Sequence, residues 1–260
     1  MKEKGLSGCA LKIIAIITML IDHIGATVVY ELAYNKAPLL ILDQRITEQT
    51  QYNLEMLYTI CRTIGRVAFP IFCFLLLEGF IHTSSRLKYC IRLGIFAIIS
   101  EIPFELAVHG SINLGLHNVF FTLLIGILCM WACDAIEKYV IDTDAFANNS
   151  YMRQVSKLII WIAVTGSGMI IAQLLDTDYS AFGVASMMIM YMFRENKTSL
   201  IICGAVSFLW SPVEMPAILG FVPIALYNGT RGRQIKYFFY AFYPVHLTIL
   251  YFITKFIAHY

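Results

Sequence analysis

Asp22 and His23 stand side by side inside an apolar run and are the first residues of this chain whose types could do chemistry. An imidazole titrates near neutral pH, and a neighbouring carboxylate can raise its basicity, as a general base requires. Arg62 and Arg66 lie four apart in a second apolar run, and Glu101 and Glu105 lie four apart in a third. Residues at that spacing share one helix face, so each pair can present two charges of one sign to a common partner. His117-Asn118 opens a fourth run, and His246 follows Tyr243-Pro244 near the end of the chain. Glu78 and Arg92 are further ionisable groups within apolar surroundings. His23 has the chemistry of a general base.

The elements that must position these groups follow from composition. Of 260 residues, 59% are hydrophobic and only 14% charged, with mean hydropathy +0.71. Soluble domains carry about 25% charged residues. So few charges cannot cover this much apolar surface, which excludes a soluble enzyme and a disordered chain. The net charge of +2 offers no basic field for DNA or RNA, so a nucleic-acid partner is not expected. A bilayer core of about 30 Å needs about 20 apolar residues per helix. Nine candidate segments qualify in whole or part: 9–31, 57–81, 88–108, 116–136, 155–175, 179–193, 198–210, 213–228 and 237–258. Segments six to eight are short, and two of them meeting at Trp210-Ser211-Pro212 could form one re-entrant hairpin. The expectation is an all-α polytopic bundle of eight or nine transmembrane helices in a single domain over 1–260. The first segment is too long for a cleavable signal peptide and lacks a small-residue cleavage site. The seven cysteines form no CxxC and no Cys/His cluster, so neither a disulfide framework nor a metal site is expected.

Basic residues in the connections set the orientation. With the N-terminus inside, cytoplasmic segments hold Lys2, Lys4, Arg86, Lys88, Lys138, Arg153, Lys157, Arg194, Lys197, Arg231, Arg233 and Lys236, against only Lys36 and Arg45 outside. The N-terminus is therefore expected in the cytoplasm. At 1.5 Å per residue, Asp22 lies about 15 Å beyond Lys12. Running the chain through alternate spans collects Asp22, His23, Arg62, Arg66, Glu101, Glu105 and His117 in an outer layer. Glu78 and Arg92 fall in an inner layer, where they are expected to form an ion pair. Asp22 and His23 diverge by about 100° on a helix, so the partner of His23 can come from another helix, Glu101 for example. A lone histidine such as His246 in an aromatic helix reads first as hydrogen-bonded filler, with Pro244 breaking the helix locally and freeing a carbonyl.

The order of these motifs resembles the TraX family of integral membrane proteins. The likeness rests on Leu11 to Ala15, Met19 to Gly25 around Asp22-His23, Arg62 to Phe74 through Phe69-Pro70, and Glu78-Gly79-Phe80. It continues with Tyr89, Arg92-Leu93, Ser100 to Leu106, Asn118 to Leu123, Asp178-Tyr179 with Gly183, Lys236 to Tyr240, and Tyr243-Pro244-Val245-His246-Leu247. A known family member acetylates the N-terminal amine of F-type pilin in the inner membrane. The resemblance implies acetyl transfer across a bacterial inner membrane by a multi-pass enzyme. The His of helix one and the Arg-rich, Phe-Pro-containing second helix are also similar to transmembrane acyltransferases. These include lysosomal heparan-alpha-glucosaminide N-acetyltransferase and bacterial polysaccharide O-acetyltransferases, which draw on cytoplasmic acetyl-CoA.

By that likeness His23 is the expected catalytic residue, with Asp22 and Glu101 in support. Arg62, Arg66, His117, Asn118, Tyr243 and His246 are expected to contact substrate. The polyanionic end of acetyl-CoA, the expected co-substrate, needs cations at the cytoplasmic mouth, for which Arg86, Lys88, Arg231, Arg233 and Lys236 are placed. The expected partners are the lipid bilayer and a membrane-associated peptide or glycan that accepts the acetyl group. A transporter using Asp22, Arg66 and Glu101 as a proton or solute relay is the rival reading.

Overall fold

The computed structural model describes residues 5–112, 115–141, 150–233 and 236–259, and among them every extended element is helical and no strand occurs. Nine helical segments are labelled here α1 (Gly8–Leu42), α2 (Glu48–Ile81), α3 (Arg86–His109), α4 (Val119–Ile141), α5 (Ser150–Leu174), α6 (Ser180–Met192), α7 (Lys197–Val206), α8 (Met215–Ala225) and α9 (Lys236–His259). Five are long and apolar enough to cross a membrane: α1, α2, α4, α5 and α9. The 24 residues of α3 match a bilayer in length, but Arg86, Lys88, Arg92, Glu101 and Glu105 dilute its apolar character. Large hydrophobic side chains stand on helix surfaces, as with Ile159 and Ile162 of α5 at 60% and 63% exposure, which suits a lipid rather than an aqueous surround.

The connection between the first two apolar segments, 32–56, is mostly helix. α1 continues to Leu42 and α2 begins at Glu48, leaving 43–47 as the turn. The apolar stretch Ala37–Leu42 extends α1, and Pro38 is tolerated because it sits in the first turn of that stretch. Thr47 caps α2 by accepting from the Thr50 N–H at 3.3 Å.

The chain divides into two compact units. The first comprises Met1–Leu75, Ile99–Leu114 and Phe208–Tyr260. Its first helix starts at the Ser7 cap, whose hydroxyl accepts from the Ala10 N–H at 3.3 Å. The N–H groups of Gly8 and Cys9, which no helical carbonyl can reach, donate instead to Thr230 and Arg231 carbonyls at 2.8 and 3.1 Å. The segment leaving α8 is thereby tied to the start of α1. Midway, α1 widens into two π-helical stretches, Gly25–Val29 and Glu31–Lys36. In α2 the helix breaks at Arg66-Val67. Pro70 has no N–H for the Arg66 carbonyl four residues back, so the chain tightens there, with Val67 N–H bonding Ile64 O at 3.2 Å. α8 lies against this break: a Cβ on Gly220 would come within 2.6 Å of the Pro70 ring and 2.8 Å of the Val67 carbonyl. α9 runs unbroken through Pro244, contrary to the local break expected there, because the adjacent turns keep their helical bonds. Lys36 of α1 donates to the Ala258 carbonyl at 2.5 Å and so caps the far end of α9.

The second unit comprises Leu76–Ile98 and Gly115–Ser207. Its interior is thioether and aliphatic: Met130, Met187, Met188 and Met190, with Ile127 and Val184, are 0–2% exposed. Gly126 leaves room for the Met187 sulfur and Gly168 for the Cys129 sulfur, where a Cβ would collide at 2.5 and 2.3 Å. Thr177 follows Asp176, whose backbone is left-handed with φ 46°. The turn there is pinned by His117, whose N–H donates to Asp176 O at 3.0 Å and whose carbonyl accepts from Asp178 N–H at 2.7 Å.

Candidate functional site

The first unit assembles polar groups around the point where α1 turns π-helical. Gly65 of α2 faces Asp22 so closely that a Cβ there would lie 2.1 Å from its Oδ1, and Gly25 of α1 faces Cys61 in the same way at 2.6 Å. These two glycines let the helix backbones approach. At that contact, Arg62 Nη1 donates to Asp22 Oδ2 at 2.6 Å. One turn on, Arg66 Nε stands 3.4 Å from Glu214 Oε1 at the head of α8. Two arginines of one face thus meet carboxylates of two different elements. Asp22 is as expected; Glu214 was not foreseen, although a lone carboxylate after Ser211-Pro212 in an apolar stretch is its signal.

His23 turns away from Asp22, as the 100° divergence requires, and meets α9. Its Nδ1 lies 2.7 Å from His246 Nε2, across 223 residues of sequence. The rings stack at 4.9 Å between centroids and 29° between planes. Tyr243 closes the group, edge-on to both rings at 5.7 Å. Hydrogen-bond chemistry assigns the tautomers. His246 Nδ1 lies 2.7 Å from the Phe242 carbonyl, which only accepts, so Nδ1 carries the proton. With the rings neutral, His246 Nε2 is then a lone pair, and His23 Nδ1 must donate to it. The His23 Nε2 lone pair is left over, without a hydrogen bond among the described residues. The relay runs from a backbone carbonyl through two imidazoles to one basic nitrogen. Thr27 donates to the His23 carbonyl at 2.6 Å, satisfying it where the helix widens. π-helical turns within α-helices concentrate at functional sites.

Glu101 and Glu105, on the part of α3 that belongs to this unit, are buried at 7% and 0% exposure. His23 hydrogen-bonds His246, not Glu101. The residues of the expected site in the second unit are engaged locally. Asn118 caps α4 through its Oδ1, 3.0 Å from Phe120 N, and donates its amide to Ala97 O at 2.8 Å. His117 holds the 176–178 turn through its backbone.

The expected donor-binding cations divide in the same way. Arg86 is ion-paired to Asp134 at 2.5 Å and lies over the Phe80 ring at 4.5 Å. Lys88 is exposed. Arg231 and Arg233 are exposed on the segment tied to the start of α1, and Lys236 opens α9. The expected Glu78–Arg92 pair does not form. The Glu78 carboxylate is 3.9 Å from His82 Nδ1, one turn along its own helix, whereas Arg92 lies over the Tyr89 ring at 5.9 Å. Among the described residues no group of His, Cys, Asp and Glu has the arrangement of a metal site.

Comparison with known proteins adds a family. The family model described as TraX protein matches residues 7–254. A probable fimbrial assembly protein FimC, serogroup H1, of Dichelobacter nodosus is 25% identical over 272 aligned residues, covering 94% of each chain. No solved structure matches.

Proposed function

This chain belongs to the TraX family, and from that premise we propose that it is an integral membrane acetyltransferase. It moves an acetyl group from cytoplasmic acetyl-CoA to an amine, or a hydroxyl, presented at the extracytoplasmic side. The observation that carries the reading is the hydrogen-bonded chain that leaves the His23 Nε2 lone pair open at the widened turn of α1.

In this reading His23 Nε2 takes the proton from the acceptor nitrogen or oxygen as that atom bonds to the thioester carbonyl carbon. The carbon–sulfur bond then breaks, and the same proton passes from Nε2 to the departing thiolate. His246 steadies the cationic imidazole of His23 by accepting from its Nδ1–H, and the Phe242 carbonyl in turn orients His246. Tyr243 packs both rings edge-on, and Asp22 holds Arg62 beside them. Arg66, ion-paired to Glu214, is the cation that this reading assigns to the developing oxyanion. Glu101 is the carboxylate that this reading assigns to the acceptor. Arg86, Lys88, Arg231, Arg233 and Lys236 draw the polyanionic donor to the cytoplasmic face.

The fimbrial assembly relative and the family match favour a pilin-like membrane peptide as acceptor over a glycan. The sidedness follows from the positive-inside count, with the N-terminus cytoplasmic in the inner membrane of a bacterium. α3 and the short helices α6, α7 and α8 then join the five apolar helices to make eight or nine passages. The test is consumption of labelled acetyl-CoA by the purified protein in sealed vesicles with an amine-bearing peptide. Turnover that disappears in His23→Ala supports the reading. Solute flux without acetyl-CoA consumption would make the protein a permease instead.

A further inference from the structure

Two cations at the start of α3 lack the counter-charge that their neighbours have. Lys88 and Arg92 are four apart and share one helix face. Arg92 is half-buried. Its Nε is enclosed without a hydrogen-bond partner, and its terminal nitrogens make no hydrogen bond or ion pair with any described residue. The Tyr89 ring at 5.9 Å is at the outer limit of a cation–π contact. Elsewhere in the same unit Arg86 is paired with Asp134 at 2.5 Å and Lys157 with Glu137 at 3.1 Å. Glu78, the carboxylate expected for Arg92, is turned to His82.

Position sharpens the point. Leu87, Ile91 and Ile95, each one residue before or three beyond these cations, are 56%, 50% and 49% exposed and form an apolar stripe along α3. Lys88 and Arg92 edge that stripe, roughly 3 and 9 Å from the helix start at 1.5 Å per residue. A guanidinium left unpaired beside hydrocarbon is costly, and its N–H fork fits a phosphate in two-pronged fashion. The N–H groups that open α3 add a field of the same sign.

We propose that Lys88 and Arg92 bind a phosphate oxyanion at the start of α3. Two sources share that chemistry: the diphosphate of the acyl donor, a case that rests on the acetyltransferase reading, and the phosphate of a lipid headgroup, which does not. In the donor case Arg92 takes the place in the site that the sequence assigned to Arg86.

The experiment uses the full chain, stripped of lipid in a phosphate-free maltoside detergent. Coenzyme A binding is measured by calorimetry, and retention of added phosphatidylglycerol by native mass spectrometry. Arg92→Gln should weaken one of the two by about tenfold, the scale of one charge-assisted hydrogen bond. Arg92→Lys should recover part of it, and Lys88→Gln should lose less. Lowered coenzyme A affinity identifies the donor; lowered lipid retention with coenzyme A binding intact identifies the headgroup. If Arg92→Gln does not fold, the exposed Lys88→Gln decides alone. Unchanged binding of both ligands overturns the proposal, as does failure of the unaltered protein to bind either. A protein that binds no coenzyme A yet holds the lipid through Arg92 would sink the acetyltransferase reading and leave this site standing.

Discussion

The two units of this chain solve the membrane problem differently. The first encloses Asp22, Arg62, Arg66, Glu214, His23 and His246 as matched pairs along converging helices. The second keeps a core of methionine and aliphatic side chains, with one polar cluster around Asp134 and Tyr191. There Trp161 stacks on Tyr191 at 5.0 Å, Arg194 covers Tyr191 at 4.0 Å, Tyr191 donates its hydroxyl to Asp134, and Trp161 its indole N–H to Glu137. Every member of that cluster has an evident structural partner. In the first unit His23 Nε2 is a basic nitrogen without a hydrogen bond among the described residues. A matched polar network holds a fold; a network with one open basic nitrogen can also move a proton.

That contrast is sharpest in His23→Ala. Loss of a general base costs about 10²–10⁴-fold in rate, so turnover of acetyl-CoA should fall by that much while the protein stays monodisperse in detergent. A variant holding half the original rate would remove the distinction between the units. The counterpart in the second unit is Met187→Ala. Met187 is fully buried against Gly126, and truncating such a side chain costs about 2–5 kcal/mol. The expected outcome is a lower thermal midpoint with the rate per folded molecule unchanged.

His246→Ala should fall between these cases. It leaves His23 without its acceptor, and misplacing a catalytic group by an ångström costs about 10²-fold. His246→Gln, which can still accept from His23, should recover more of the rate than His246→Ala; equal losses would mean that His246 is packing only. Gly65→Ala probes the closeness of α1 and α2. Its Cβ must displace Asp22, and overpacking of this kind costs about 1–3 kcal/mol. Melting should fall, whereas Gly166→Ala, in open space on α5, should not. The smallest effect is expected from neutralising Arg231, Arg233 and Lys236 together. A few-fold rise in KM for acetyl-CoA at low salt, with kcat retained, is the signature of lost ground-state binding. An unchanged KM would detach this segment from the donor.

Composition and apolar run length determined that the chain is helical and built for a membrane, because hydrocarbon leaves helices the simplest way to satisfy the backbone. The nine apolar segments read from the chain each coincide with a helical segment. Asp22, His23, Arg62 and Arg66 stood out for the same reason: a charge inside an apolar run has few bland explanations. The span of α2 beyond 57 toward Glu48 did not stand out, since Glu48, Gln51, Asn53 and Glu55 read as loop until Thr47 is seen to cap them. Nor did the histidine pair. His23 and His246 belong to helices at opposite ends of the chain, and periodicity within one helix carries no information about which distant helix lies against it. Only the packed structure, with Gly25 and Gly65 drawing α2 onto α1 and the widened π turn directing His23 toward α9, decided that two residues 223 positions apart share a proton.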